Sequence, residues 1–355
     1  MKIDFISSSL DGGGAERVAV LLANFFVTNG HQVSIITFNK GDAYQIDENI
    51  KRVRLHAGSI KNHTVRSLWN LTLYYKVKRN RPDIVISSIC TMNFVSILVC
   101  KLFSIKIIAS EHHNHLRKVY RITKFTWNHL YRYASTITVL TNFDKSFFEE
   151  KGAKVVVMPN PSTFIPIEDI PSVRKKVILA VGSLNRYHDK GFDNLVRLIV
   201  PVLQRYPEWN LKIVGGGDEG MTLLKELTFQ GGLDQQVIFS GFRNDVKDIM
   251  RESEIFILPS RCEGLPMVLL EAMSQGMACI SYNCITGPSE MIIDNENGLL
   301  IEDQNIEAMQ EGLIKLICDE ELRKTIAKNA LQSLDRYSIE NVSQLWGKLI
   351  REIVS

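Results

Sequence analysis

The stretch Lys2–Thr37 reads KIDFISSSLDGGGAERVAVLLANFFVTNGHQVSIIT, and it decides the fold class. Lys2–Ser7 and Gln32–Thr37 are short runs nearly continuous in Val, Ile and Phe, the composition of strands buried on both faces. Between them, Ala15–Thr28 carries the apolar spacing of an amphipathic helix, and Gly30 ends it. Strand, helix, strand is a β-α-β unit, whose two strands must run parallel.

The alternation continues outward from this unit. Asp83–Ser87, Lys106–Ser110, Thr136–Leu140 and Val155–Met158 read as further strands. Pro159-Asn160-Pro161, with Pro166 and Pro171 beyond, breaks the periodicity and reads as a linker. A second series follows. Its strands are Val177–Val181, Leu211–Val214, Gln236–Phe239, Ile255–Leu258, Ala278–Ser281 and Gly298–Ile301. Its helices are Gly191–Arg205, Glu219–Gln230, Met267–Gln275 and Ile306–Cys318. The last segment, Ile339–Ile353, is one more amphipathic helix with no strand after it. The expected organisation is α/β, in two facing Rossmann-like domains at 1–165 and 166–335, with a C-terminal helix at 336–355 crossing back to the first.

Composition agrees with this division. A chain of 355 residues suits two domains, and 45% apolar with 23% charged residues is ordinary for a globular protein. Six cysteines lack C-x-x-C or metal-ligand spacing, which suits buried thiols in a reducing compartment. Met1-Lys2 runs straight into an Asp-containing strand rather than a secretory core. Ile84–Cys100 is interrupted by Ser87, Ser88, Thr91, Asn93 and Ser96, which does not make a membrane span of about 20 apolar residues. A cytoplasmic location is expected. The net charge of +3 hides an asymmetry. Residues 1–165 carry 22 Lys and Arg against 11 Asp and Glu, a net of +11, and the remainder carries 20 against 28, a net of −8. A basic half suits nucleic acid, an anionic membrane or a phosphorylated substrate.

Two glycine-containing turns are placed to meet a phosphate. Asp11-Gly12-Gly13-Gly14-Ala15-Glu16 follows the first strand and opens the first helix. Gly13 and Gly14 would let backbone approach an anion at the helix N-terminus. The spacing is not G-x-G-x-x-G, so a tight turn is an equal reading. Glu263-Gly264-Leu265-Pro266-Met267-Val268-Leu269-Leu270-Glu271 follows the strand Ile255–Leu258 and the turn Pro259-Ser260-Arg261. Pro266 suits the first helical position. The N–H groups of Met267 and Val268 would then point toward the strand end, where such sheets bind ligands. Glu271 can accept from ribose hydroxyls and Glu263 from sugar hydroxyls. Spacing alone equally allows one capping and one surface Glu.

Glu263 and Glu271 resemble the E-x7-E motif of retaining glycosyltransferases of the GT-B fold. Leu258-Pro259-Ser260, Glu271-Ala272-Met273, Asn297-Gly298-Leu299-Leu300, Gly13-Gly14-Ala15-Glu16 and Pro159-Asn160-Pro161 are similar to the family-4 group, in that group's order. Thr286-Gly287-Pro288-Ser289-Glu290-Met291-Ile292 resembles a subgroup that builds bacterial surface polysaccharides. The resemblance covers nearly the whole chain. It implies that Lys190 neutralises the donor diphosphate. The usual partnering Arg has Ser183 at its place, so Arg186 would substitute. It implies that His112, in Glu111-His112-His113-Asn114-His115, sits beside the anomeric carbon. The expected donor contacts are Gly13, Gly14, Arg186, Lys190, Glu263, Gly264, Leu265, Met267, Val268 and Glu271, with Glu263, His112 and Lys190 catalytic. No D-x-D pair is present, and adjacent histidines rarely share one metal ion. Metal-independent transfer without a cofactor is expected.

The implied activity is transfer of a hexose or N-acetylhexosamine from a nucleotide sugar, a UDP-sugar, to a polyprenyl-diphosphate-linked saccharide. The rival readings are a GT-B-fold nucleotide-sugar epimerase and a non-enzymatic nucleotide-sugar-binding subunit. His115–Ser135 carries Arg117, Lys118, Arg121, Lys124 and Arg132 among Tyr120, Phe125, Trp127, Tyr131 and Tyr133. Cations and aromatic rings mixed on one helix suit the inner face of the cytoplasmic membrane. Nucleic acid fits the charge but not the donor motif.

Overall fold

The computed structural model describes residues 1–117 and 119–355, so Lys118 lies outside the described residues. The chain divides into two compact units, Met1–Thr163 with Tyr337–Ser355, and Phe164–Arg336.

The first unit contains strands β1 (Lys2–Ser7), β2 (Gln32–Thr37), β3 (Lys51–Arg54), β4 (Ile84–Ser88), β5 (Lys106–Ser110), β6 (Thr136–Val139) and β7 (Val155–Val157). They form one parallel sheet in the order β3-β2-β1-β4-β5-β6-β7. Order reverses between β1 and β4, which opens a crevice at the carboxyl ends of those strands. Helices α1 (Gly14–Thr28), α2 (His63–Lys76) and α3 (Cys90–Phe103) cover the sheet. β1 and β4 are buried nearly throughout, which explains their unbroken apolar runs. The last helix, Ile339–Val354, packs on α1 and buries Val342, Trp346 and Ile350.

The second unit contains β8 (Lys175–Val181), β9 (Asn210–Val214), β10 (Val237–Phe239), β11 (Ser253–Leu258), β12 (Ala278–Tyr282) and β13 (Leu299–Ile301), also all parallel, in the order β10-β9-β8-β11-β12-β13. Its reversal lies between β8 and β11. The core beneath is Ile178, Phe192, Leu195, Ile199, Trp209, Ile255, Ile280 and Leu313 with their neighbours. No helix among the described residues is long and apolar enough to cross a membrane.

One expected element is corrected. The described residues of His115–Ser135 do not form a single helix. They include a turn of α-helix at Arg121–Phe125, a π-turn at Thr126–Leu130 and a 3-10 turn at Tyr131–Tyr133. Trp127 and Tyr131 are core residues, whereas Tyr120, Phe125 and Tyr133 are exposed. Trp127 and Tyr131, four residues apart and so on one side of this segment, both donate to the buried Glu111.

Candidate donor site

The loops leaving β8 and β11 flank the reversal point of the second sheet, and they are fastened together. Gly191 takes φ +68°, and a side chain there would strike the carbonyl of Pro259. The absence of a Cβ is what lets the two loops touch. Arg261 N–H donates to Asp189 O at 2.9 Å. The Arg261 guanidinium reaches Asp193 at 2.6 and 3.1 Å and the His188 carbonyl at 2.5 Å. Arg261 and Asp193 had no role in the sequence reading. A cation in the turn before the E-x7-E segment, paired with an acid in the first turn of the helix Phe192–Arg205, is the signal that was there to be used.

Across this clamp, Lys190 Nζ meets Glu263 Oε1 at 2.7 Å, with the Lys and Glu side chains 16% and 9% exposed. Ser260 Oγ donates to the same carboxylate oxygen at 2.6 Å. Thr286 Oγ1 donates to the Glu263 carbonyl, which ties the loop after β12 to this segment. The two residues expected to carry diphosphate and sugar are therefore partners here. A half-buried ammonium with one carboxylate on it retains N–H donors for a second anion.

Pro266 is the residue capping the helix Met267–Ser274, not its first helical residue, and Met267 opens the helix. The correction is one position, and the chemistry survives it: the first N–H groups of a helix, here those of Met267 and Val268, have no intrahelical acceptor. Gly264, Met267 and Val268 are half-buried, and Leu265 is buried beneath them. Glu271 is buried at 6% exposure one turn further in. Arg186 lies apart from this cluster in its bonding. It pairs with Asp189 at 3.0 and 3.1 Å, and both side chains are exposed.

The remaining residues singled out from the sequence belong to the first unit. Gly13 caps α1 and Gly14 opens it. The Glu16 carboxylate turns back onto the Gly13 N–H, as in a capping box, and burial raises its pKa. An anion at this turn must share or displace Glu16. His112 follows β5. Both of its ring nitrogens are enclosed and lack a hydrogen-bond partner among the described residues. Burial lowers its pKa to about 4, so the imidazole is neutral at physiological pH. The preceding Glu111 is fully enclosed and accepts from Trp127 Nε1 at 2.8 Å and Tyr131 Oη at 2.7 Å, while burial raises its pKa. Among the described residues no group of three or more His, Cys, Asp or Glu side chains is placed to hold one metal ion.

Two doubly wound units, with a paired cation and a helix N-terminus at the switch point of the second, have the GT-B architecture. Residues 166–333 match the glycosyl transferases group 1 model and residues 12–161 the glycosyltransferase family 4 model. The chain belongs to this family, and it is a glycosyltransferase of the hexosyl-transferring class working in bacterial polysaccharide biosynthesis. It is 30% identical, over 99% of either sequence, to a GalNAc-alpha-(1->4)-GalNAc-alpha-(1->3)-diNAcBac-PP-undecaprenol alpha-1,4-N-acetyl-D-galactosaminyltransferase of Campylobacter jejuni. It is 29% identical, over 98% of either sequence, to the amylovoran biosynthesis glycosyltransferase AmsD of Erwinia amylovora. The structure of Anabaena Alr3699/HepE in complex with UDP and glucose superposes with a TM-score of 0.81 at 18% identity, covering 99% of this chain and 100% of that one.

Proposed function

We propose that the chain is a retaining transferase. It moves a hexose or N-acetylhexosamine from a UDP-sugar to a polyprenyl-diphosphate-linked saccharide, without a divalent metal, at the inner face of the cytoplasmic membrane. The observation that carries the reading is the Lys190–Glu263 pair beside the open N-terminus of the helix Met267–Ser274. Two phosphates need compensating charge, and this edge supplies one ammonium and oriented backbone N–H groups. In the proposed reaction the anomeric C–O bond breaks and the bond to the acceptor oxygen forms on the same face. The leaving diphosphate takes the acceptor proton, and Lys190 with the Met267 and Val268 amides stabilises its charge. Glu263, released from part of its pairing, stands beside the sugar as positive charge develops there. Glu271 holds the ribose. His112, neutral and with two unused ring nitrogens, is suited to hydrogen-bond the transferred sugar. Lipid-linked acceptors named for the Campylobacter relative, and the UDP and glucose of the Anabaena structure, support the choice of acceptor and donor.

The test is transfer by the purified full chain from a panel of UDP-sugars to an undecaprenyl-diphosphate saccharide, with the product anomer read by NMR. Turnover should persist in EDTA and give the donor's own anomeric configuration. If EDTA abolished turnover and Mg²⁺ or Mn²⁺ restored it, the charge assignment to Lys190 would be wrong. Conversion of a UDP-sugar with no acceptor present would favour the epimerase reading instead.

A further inference from the structure

Val65, Trp69 and Leu73 stand on the outer face of α2, 51%, 56% and 46% exposed. A spacing of four residues keeps them in one row along the helix. Val77, 44% exposed just past the helix end, lengthens the row. The opposite face explains why the helix is held in place. Leu71 and Tyr75 are fully buried against the core, and the Asn62 side chain caps the helix by accepting from the Val65 N–H at 3.1 Å. So α2 is fixed by one face and offers water a second apolar one, which a globular protein ordinarily covers.

The surroundings of this row decide what covers it. From Asn49 to Pro82 the sequence has nine Lys and Arg and no Asp or Glu. Arg52 and Arg54 are engaged by Asp42 at 2.8 and 2.7 Å, and Arg81 lies over the Phe103 ring. Lys61 before the row, and Lys76, Lys78 and Arg79 after it, are exposed and have no acidic partner among the described residues. An apolar row with a Trp at its centre and free cations at both ends has the build of an interfacial helix. Apolar side chains enter the acyl boundary while ammonium groups meet lipid phosphates. A second copy of the chain is a poorer occupant, because it would bring the same unbalanced cations against these.

We infer that α2 beds Val65, Trp69 and Leu73 in an anionic lipid surface, with Lys61, Lys76, Lys78 and Arg79 on its headgroups. The inference rests on the membrane-peripheral reading above and gives it an address, distinct from the Arg117–Lys124 segment that sequence alone suggested. It requires no knowledge of donor or acceptor, so it is tested apart from the reaction.

The other three tryptophans, Trp127, Trp209 and Trp346, are 4%, 2% and 3% exposed, so changes in emission on adding vesicles report on Trp69. Phosphatidylcholine vesicles containing phosphatidylglycerol should shift the emission to the blue, and lipids brominated on the acyl chain should quench it. Vesicles of phosphatidylcholine alone should do neither. Trp69→Ser with Leu73→Ser should lower partitioning, measured by sedimentation, about tenfold to a hundredfold, the effect of withdrawing two large apolar side chains from lipid. Both positions are exposed, so the thermal melt of this variant should stay that of the parent. Serine at Lys61, Lys76, Lys78 and Arg79 should weaken binding and flatten its salt dependence. Unchanged partitioning of the Trp69/Leu73 variant would overturn the inference. So would loss of binding only when Arg117, Lys118, Arg121 and Lys124 are changed to Ser. A dimer in solution that the Trp69/Leu73 variant dissolves, with no vesicle binding by the parent, would assign the face to a second copy. Transfer to a soluble acceptor analogue separates the two readings. Transfer without vesicle binding refutes only the docking, and vesicle binding without transfer refutes only the reaction.

Discussion

Asp4 and Glu111 in the first unit, and Glu263 and Asp193 in the second, are carboxylates withdrawn from water by opposite means. Neutral donors hold the first two: Tyr75 Oη reaches Asp4 at 2.9 Å, and Trp127 and Tyr131 reach Glu111. Cations hold the second two: Lys190 on Glu263 and Arg261 on Asp193. The unit richer in cations thus places none of them on these inner acids, and burial raises the pKa of both. Its positive charge stays on the surface, where Asp42 and Glu149 offset only part of it. The acidic unit keeps two cations at the carboxyl edge of its sheet, each paired with an acid of its own. Net charge per half predicted that the two halves differ in task. It did not say where the charges stand, and their placement is what the proposed docking surface and the proposed phosphate site rest on.

The sharpest way to break the comparison is at Lys190. Lys190→Ala removes the ammonium expected on the diphosphate and leaves Glu263 without its ion-pair partner. We expect kcat/KM to fall about 10³-fold, close to 4 kcal/mol. Steady-state transfer assays would measure it, and a loss smaller than tenfold would mean that Lys190 serves the fold alone. Glu263→Gln should fall next in size. A carboxylate beside a sugar that gains positive charge helps the transition state more than the ground state. Its loss should lower kcat about 10²-fold, roughly 3 kcal/mol, with donor KM little changed.

In the first unit the contrast is tested by stability rather than turnover. Burial raises Asp4 to about 6 from an ordinary value of 3.8. The folded chain therefore holds a proton that the unfolded chain releases between those values. Stability from this group is full below pH 3.8 and is lost as pH rises through about 6. Asp4→Asn removes that loss. The variant should match the parent near pH 4 and exceed it by up to about 3 kcal/mol at pH 8, at 1.36 kcal/mol per unit. Urea unfolding of the first unit at both values would check it. Equal stability at pH 8 would mean that a cation, and not burial, controls Asp4.

The fold was legible because most strands are buried on both faces and so write unbroken apolar runs, as in β1, β4 and β11. β3 was missed, since Lys51-Arg52-Val53-Arg54 is a half-exposed edge strand with charge at three of its four positions. The helix Glu320–Gln332 was missed for the reverse reason: it begins Glu320-Glu321 and buries few residues. Of the site, Lys190, Glu263 and the Met267 helix end were readable as a motif. The Arg261–Asp193 clamp and the Glu111 network were not, because each joins residues distant in sequence through side chains whose direction only the fold sets. α2 escaped notice for a related cause. Its apolar residues lie on two faces, and periodicity cannot say which face is covered.

Glu271 offers the smallest effect and the finest test. Unlike Glu263 it lies within a helix, buried at 6% exposure, behind the residues expected on the diphosphate. If it holds the ribose, it touches a part of the donor that does not react. An interaction equal in ground and transition states sets donor affinity and leaves the chemical step alone. Glu271→Gln keeps the shape of the side chain and one acceptor oxygen, so the helix should fold as before. What is lost is the stronger hydrogen bond that a charged acceptor makes to a hydroxyl. Donor KM should rise about tenfold, near 1.4 kcal/mol, with kcat within about twofold of the parent. Donor titrations at saturating acceptor, run beside Glu263→Gln, decide the matter. If Glu271→Gln lost kcat while Glu263→Gln only raised KM, the two carboxylates would have exchanged roles, and the ion pair with Lys190 would mark the ribose rather than the sugar.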